Sequence, residues 1–200
     1  MGLSTMTSYF ILRDTDAPEQ CAIYDYLDSF EHIDHPARGV RMGESYPAAG
    51  IRFQMTSMVP GMKMTDVLQN ALSYLMVTAR MKALLEAHAK AEIEFLPFTL
   101  LNHKGRVASR ECYIANVLGT VDCVDVERTE GRRSAMFPDT YDRITRLALD
   151  SARIDPKRNL FRIASQPQTF IVRDDLRAVL EKEGVTGAQY VAPGEPVDLR

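Results

Sequence analysis

The stretch Tyr74 to Pro97, YLMVTARMKALLEAHAKAEIEFLP, holds a complete small folding unit in one run. Leu75, Met76 and Val77 form a short apolar segment ending at Thr78, after which Met81, Leu84, Leu85 and His88 recur at helical spacing. Thr78 stands where a hydroxyl accepts from the unpaired amides of a first helical turn. Ile93, Phe95 and Pro97 then alternate with Glu92, Glu94 and Leu96, the period of a half-buried strand. The reading is strand, cap, helix, strand.

Displaced by 95 positions, the same stretch lies without a gap over Thr169 to Ala192, TFIVRDDLRAVLEKEGVTGAQYVA. Val77 meets Val172 and Leu85 meets Leu180, while Met81/Leu176, Leu84/Val179 and Phe95/Tyr190 stay apolar. Either the chain carries an internal repeat (74–97 and 169–192) or two amphipathic helices obey one packing rule. The expected fold is α+β, a mixed, mostly antiparallel sheet with two related β-α-β units packing their helices on it. Residues 1–60 read as a strand from about Ser8, an acidic helix and an irregular segment, and 61–200 as the α+β core, together one compact domain. Within them, Asp66 to Ala71 reads as a short helix and Ile51 to Met55, Glu111 to Asp125, Ile144 to Leu149 and Leu160 to Ala164 as strands. Arg128 to Pro138 reads as a loop, Gly184 as a left-handed cap, and PGEPVDLR as a frayed tail.

An apolar content of 46% beside 26% charged residues is that of a globular chain. No apolar run approaches the roughly 18 residues of a membrane helix, and the first residues lack the pattern of a secretory signal. A cytoplasmic location is expected, with no membrane partner. Cys21, Cys112 and Cys123 show no CxxC spacing and read as reduced thiols. His32, Asp34 and His35 are close enough in sequence to share a metal, but a solvated acidic loop explains them equally well.

Charge is distributed unevenly. Asp14, Asp16, Glu19, Asp25, Asp28, Glu31 and Asp34 follow one another with no lysine or arginine among them, although the whole chain is only −3. Spacing places Ala22, Tyr26 and Phe30 on one side of a helix there, with Pro18 in its first turn. Such a segment is a solvated face or a surface that steers a basic partner. Met58, Met62 and Met64 surround a Pro-Gly turn, as core filler or as a surface that moulds to a partner.

For catalysis the best candidates are Asp122, Asp125 and Glu127, with His103, a carboxylate group that could serve a metal-dependent hydrolase. In a strand Asp122 and Asp125 project to opposite faces, so only a bend would unite them. No GxSxG, phosphate-binding loop or dinucleotide fingerprint is present. No catalytic residue, metal ligand or cofactor is therefore assigned. Arg106 and Arg110, and Arg128, Arg132 and Arg133, form small basic groups without interleaved aromatics, which gives no case for direct nucleic-acid binding.

The segments DVLQNALSYLMVTARMKALLE, EIEFLPFTL, CYIANVLGTVDCVDVERT and LFRIASQPQTFIVRDDLRAVLEKEGVTGAQYV, in that order, resemble the bacterial immunity proteins of the DUF1629 or Imm11 type. The resemblance covers about Asp66 to Val191; Thr78 stands where the family commonly has a serine, and Arg173 departs at the second cap. It implies a cytoplasmic antitoxin, without cofactor, that binds a toxin of a type VI or polymorphic system, often a basic nuclease. The free chain is then expected as a monomer or homodimer. On that reading the acidic run supplies the toxin-binding residues Asp14, Asp16, Glu19, Asp25, Asp28 and Glu31, with Tyr24 and Tyr26 as aromatic anchors.

Overall fold

The computed structural model describes residues 8–200. In it the chain is mostly β, which overturns the α+β expectation: thirteen strands lie in three sheets, and the three α-helices have four, ten and nine residues. In chain order the strands are β1 (Tyr9–Asp14), β2 (Ala22–Ile23), β3 (Ile51–Gln54), β4 (Val67–Asn70), β5 (Met76–Thr78), β6 (Ile93–Leu101), β7 (Val107–Val117), β8 (Glu130–Arg133), β9 (Tyr141–Arg146), β10 (Leu160–Ile163), β11 (Gln166–Arg173), β12 (Ala188–Val191) and β13 (Pro196–Leu199). The helices are α1 (His35–Arg38), α2 (Ala79–His88) and α3 (Asp174–Lys182).

Neither β-α-β unit forms as expected. The strands on either side of α2 do not pair with each other, because β7 lies between β5 and β6 and is antiparallel to both. Likewise β1 lies between β11 and β12. Helical periodicity reports strand, helix and strand in chain order but not which distant strand enters between them. The sheets run β2-β4-β5-β7-β6-β3, β10-β11-β1-β12 and β13-β9-β8.

Consecutive apolar residues are explained by strands buried on both faces. Tyr74 and Met76 face one core cluster with Phe53, Phe98 and Ile114, while Leu75 and Val77 face a second with Ala115 and Val117. Leu160, Phe170 and Val172 join that second cluster, whereas Phe161 and Ile171 enter a third with Ile11, Ile144 and Leu199. The second cluster also receives Met81 and Leu85 of α2 and Leu176 and Leu180 of α3, the positions marked by helical spacing. Thr78 caps α2 by accepting from Met81 N at 3.5 Å, and Gly184 follows α3 at φ 66°.

Several segments differ from expectation. Asp66 to Ala71 contributes β4 rather than a helix, because its apolar pair Val67 and Leu68 face two different cores. No helix forms between Asp14 and Asp34; Ala22 and Ile23 instead make a short strand parallel to β4. The region expected as a loop holds β8, and the expected tail holds β13, both paired to β9.

Two polar junctions tie these layers together. Asp66 accepts from Thr78 Oγ1 at 3.1 Å, from Arg80 at 2.7 Å, and from Thr186 N and Oγ1 at 2.9 Å, joining the start of α2 to the turn after α3. Arg162, fully buried, donates to the carbonyls of Val117 (2.8 Å), Ala37 (2.8 Å), Pro167 (2.7 Å) and Pro36 (2.6 Å), and its guanidinium lies 4.2 Å from the centre of the Phe170 ring. Burial lowers its pKa, while the four carbonyls favour the protonated form. Gly39, at φ 71°, makes room for it, since a Cβ there would fall 3.0 Å from Arg162 Cδ and 2.8 Å from Val117 O.

Arg162→Met should destabilise the protein by roughly 3–5 kcal/mol, because four carbonyls lose their donor at about 1 kcal/mol or more each. Arg162→Lys, with three donors on one nitrogen instead of a planar fork, should recover only part of that loss. Urea denaturation monitored by circular dichroism measures both.

Candidate functional site

The acidic segment and the methionine segment, far apart in sequence, are joined in space. Thr56 N donates to Ala22 O at 2.8 Å, Lys63 N to Glu19 O at 2.9 Å and Cys21 N to Lys63 O at 3.0 Å. The loop carrying Met58 and Met62 therefore springs from the acidic segment at both ends, and both methionines are exposed, 80% and 58%. Gly61 lies so close beneath that a Cβ would fall 2.1 Å from Gln20 O. A depression of about 250 Å³ beside it is lined by Asp25, Tyr26, Leu27, Gln54, Met55, Thr56 and Ser57. Exposed Leu27 adds an apolar contact that the sequence reading missed; its signal was an apolar residue between acids where no helix forms.

The candidate residues have unequal roles. Asp16, Glu19, Asp25 and Glu31 are exposed. Asp28 is committed to Arg52, accepting from its backbone N at 2.8 Å, its Nε at 2.9 Å and its terminal nitrogen at 2.7 Å, and that guanidinium holds the carboxyl below its usual range. Tyr24 is half-buried. Tyr26 turns inward, its ring against Phe30 and Phe53 and its hydroxyl 2.7 Å from that of Tyr74. Asp34 reaches Arg38 at 3.4 Å, and the rings of His32 and His35 stack 4.5 Å apart.

Asp14 lies in a different place, a cleft of about 140 Å³ that Arg13, Asn70, Ser73, Tyr74, Asp198 and Arg200 help to line. Asn70 N donates to its Oδ2 at 3.0 Å, yet burial outweighs this and raises the carboxyl's pKa. The structure thus joins Glu19 to the methionine loop through its backbone, places Asp25 in the depression beside that loop, and sets Asp14 apart from it.

The carboxylates considered for catalysis are engaged in local structure. Asp125 accepts from the backbone of Glu127 (3.1 Å) and Arg128 (3.2 Å) and from Arg128 Nε (2.6 Å), while Asp122 pairs with Arg153. His103 Nε2 is buried without a hydrogen-bond partner among the described residues. Among the described residues no three His, Cys, Asp or Glu side chains are grouped to hold a metal ion. The thiols are buried, and burial pushes Cys21 and Cys112 up to about 11 and Cys123 to about 12. No described helix is long and apolar enough to cross a membrane.

A depression lined by exposed Asp25 and Leu27, at the base of a loop that displays Met58 and Met62, has the character of a protein-binding surface. The chain belongs to the immunity protein family (Imm11), whose model matches residues 9–194. Immunity proteins bind a cognate toxin, which is the role this membership assigns to the chain. No curated protein matches the sequence.

The raised pKa of Asp14 fixes the sign of one effect. Its folded value exceeds the ordinary 3.8, so the native state binds more protons than the unfolded state above that pH, and stability falls as pH rises through the window. Asp14→Asn, which keeps an acceptor for Asn70 N, should raise the thermal midpoint at pH 7. The difference should close near pH 3, below the ordinary carboxyl value; paired calorimetric scans at the two pH values measure it.

Proposed function

We propose that the chain neutralises a secreted nuclease toxin of a type VI or polymorphic system, in the cytoplasm, by stoichiometric binding through the face formed by Glu19, Asp25, Leu27 and the Met58–Met62 loop. One observation carries this reading: the acidic segment, with Glu19 and Asp25 exposed, is hydrogen-bonded to both ends of the loop that displays Met58 and Met62, and Asp25 and Leu27 line a depression at the start of that loop. A nuclease that grips phosphates presents a basic groove. Carboxylates entering it compete with phosphate and speed encounter, while methionine fills irregular apolar contacts without a fixed shape requirement. Asp28 contributes indirectly, since its engagement with Arg52 ties the acidic segment to β3.

The test is the association rate with an inactivated form of the cognate toxin. Glu19→Lys with Asp25→Lys should slow association about tenfold at low ionic strength, with the effect shrinking as salt is added. An unchanged association rate at low salt would remove the acidic face from the contact surface. Asp28→Ala should differ in kind, lowering the thermal midpoint at pH 7 with the difference closing as pH falls through the carboxyl's depressed range, because a carboxyl held below its ordinary pKa stabilises the fold only while ionised.

A further inference from the structure

The depression at the start of the methionine loop has a lining of two kinds. Exposed Leu27, buried Met55 and half-buried Tyr26 supply apolar surface, while Asp25, Gln54 and Ser57 supply polar groups. These walls are held by the fold itself. Tyr26 bridges Phe53 of β3, with the two rings 5.9 Å apart and the tyrosine hydroxyl taken by Tyr74 at 2.7 Å. Met55 N donates to Leu101 O at 2.9 Å and Thr56 N to Ala22 O at 2.8 Å, while Thr56 Oγ1 accepts from Met58 N at 3.3 Å. A cavity braced in this way lowers the ordering cost of receiving a partner group.

Asp25 is the one charged residue in the lining. Asp28 is taken up by Arg52 and Asp34 by Arg38, whereas the Asp25 carboxylate has neither an ion pair nor a hydrogen bond among the described residues. Of the cations on the segments that form the depression, Arg52 is committed to Asp28 through two guanidinium nitrogens, and Lys63 stands at the other end of the loop, bridging Gln20. From the β6–β7 turn it is the His103 carbonyl that meets the site, accepting from Gln54 Nε2 at 3.4 Å, and Lys104 beyond it does not line the depression. Gln54 Oε1 is left as a second acceptor with no partner among the described residues.

Resting on the toxin-binding reading of this face, we propose that the depression receives a single arginine side chain of the toxin, its stem against Leu27 and Met55 and its guanidinium on the Asp25 carboxylate. An apolar anchor in the same place strips water from Asp25 and gives it no hydrogen bond in return. An anionic group meets it with like charge. Lysine gathers its charge on one strongly hydrated nitrogen, whereas a guanidinium is weakly hydrated, lies flat on apolar surface and has five donors to share among Asp25, Gln54 Oε1 and Ser57 Oγ. Steering by the acidic segment as a whole acts on the association rate, while a guanidinium drawn out of water onto Asp25 acts on the dissociation rate. The two effects are therefore separable.

The decisive measurement is the dissociation rate from an immobilised, inactivated form of the cognate toxin, with the free protein followed by analytical ultracentrifugation. Asp25→Asn, which keeps the side chain's shape, should speed dissociation about 30-fold or more, as when a desolvated charge pair loses one partner, and leave the thermal midpoint unchanged. Glu31→Gln removes the same charge from an exposed carboxylate outside the depression and should change dissociation by less than about twofold. Replacing the toxin's exposed arginines by alanine one at a time should then find one whose loss speeds dissociation to the same extent, but by less than about twofold when added to Asp25→Asn, the non-additivity of a direct pair. If Asp25→Asn dissociates within about twofold of the wild type, or no faster than Glu31→Gln, the depression takes no arginine and the toxin-binding reading stands. Coupling of Asp25 to a toxin lysine, to an apolar residue or to none overturns the choice of occupant. Self-association of the free wild type that Asp25→Asn abolishes gives the depression to a second copy of the chain instead. If the wild type does not bind the toxin, both readings fall.

Discussion

Arg162 is the interaction on which the arrangement depends, because it places a cation in the interior with no carboxylate among the described residues to neutralise it. Removing a guanidinium from water is costly, and what offsets it here is a set of four carbonyl acceptors together with the face of Phe170. Those carbonyls belong to α1, to the end of β7 and to the start of β11, so the acceptors exist together only when three distant segments have met. A methyl-rich side chain could fill the volume but would not demand that meeting. The guanidinium therefore links the N-terminal segment to the sheets through geometry more than through net energy. The local irregularity agrees with this role: the β10–β11 register shifts between Arg162 and Ile163.

That residue also marks where sequence reading stops. In LFRIAS, Arg162 looks like the solvent-facing member of an alternating strand, and no local pattern distinguishes a charged residue aimed at water from one aimed at carbonyls over a hundred positions away. The features that were legible are short-range ones. The caps at Thr78 and Gly184, and the helix positions Met81, Leu85, Leu176 and Leu180, follow from spacing within a single turn. Strand partners are long-range, and they decide fold class. With β7 inserted between β5 and β6, and β1 between β11 and β12, the same local elements build a mostly β protein. β8 and β13 were hidden for another reason, since short edge strands rich in Arg, Glu, Gly and Pro carry the composition of loops.

The site divides along the same line. The acidic run was visible as a run, but whether a carboxylate is free or committed depends on what faces it. Arg52, placed on β3, makes Asp28 part of the scaffold, and Asn70 with the cleft around it makes Asp14 a half-buried group. The union of the acidic segment with the methionine loop rests on three backbone hydrogen bonds, from Thr56, Lys63 and Cys21, which no side-chain pattern encodes. A binding face assembled from backbone pairing leaves its side chains free to vary, provided they stay small or exposed near Gly61.

The distribution of polar satisfaction separates frame from surface. Arg162 and Asp66 are each met by several partners and tie secondary-structure elements together. Asp14 is different: one backbone amide and a depression in front of it leave a carboxylate whose charge the fold does not favour. A protein selected for stability alone gains by neutralising that group. Retaining the charge lowers stability at neutral pH, the opposite sign to that for Asp28, whose charge its own fold stabilises. The sign of the pKa shift therefore divides two members of one acidic run: the charge of Asp28 is held by the frame, and that of Asp14 is carried against burial.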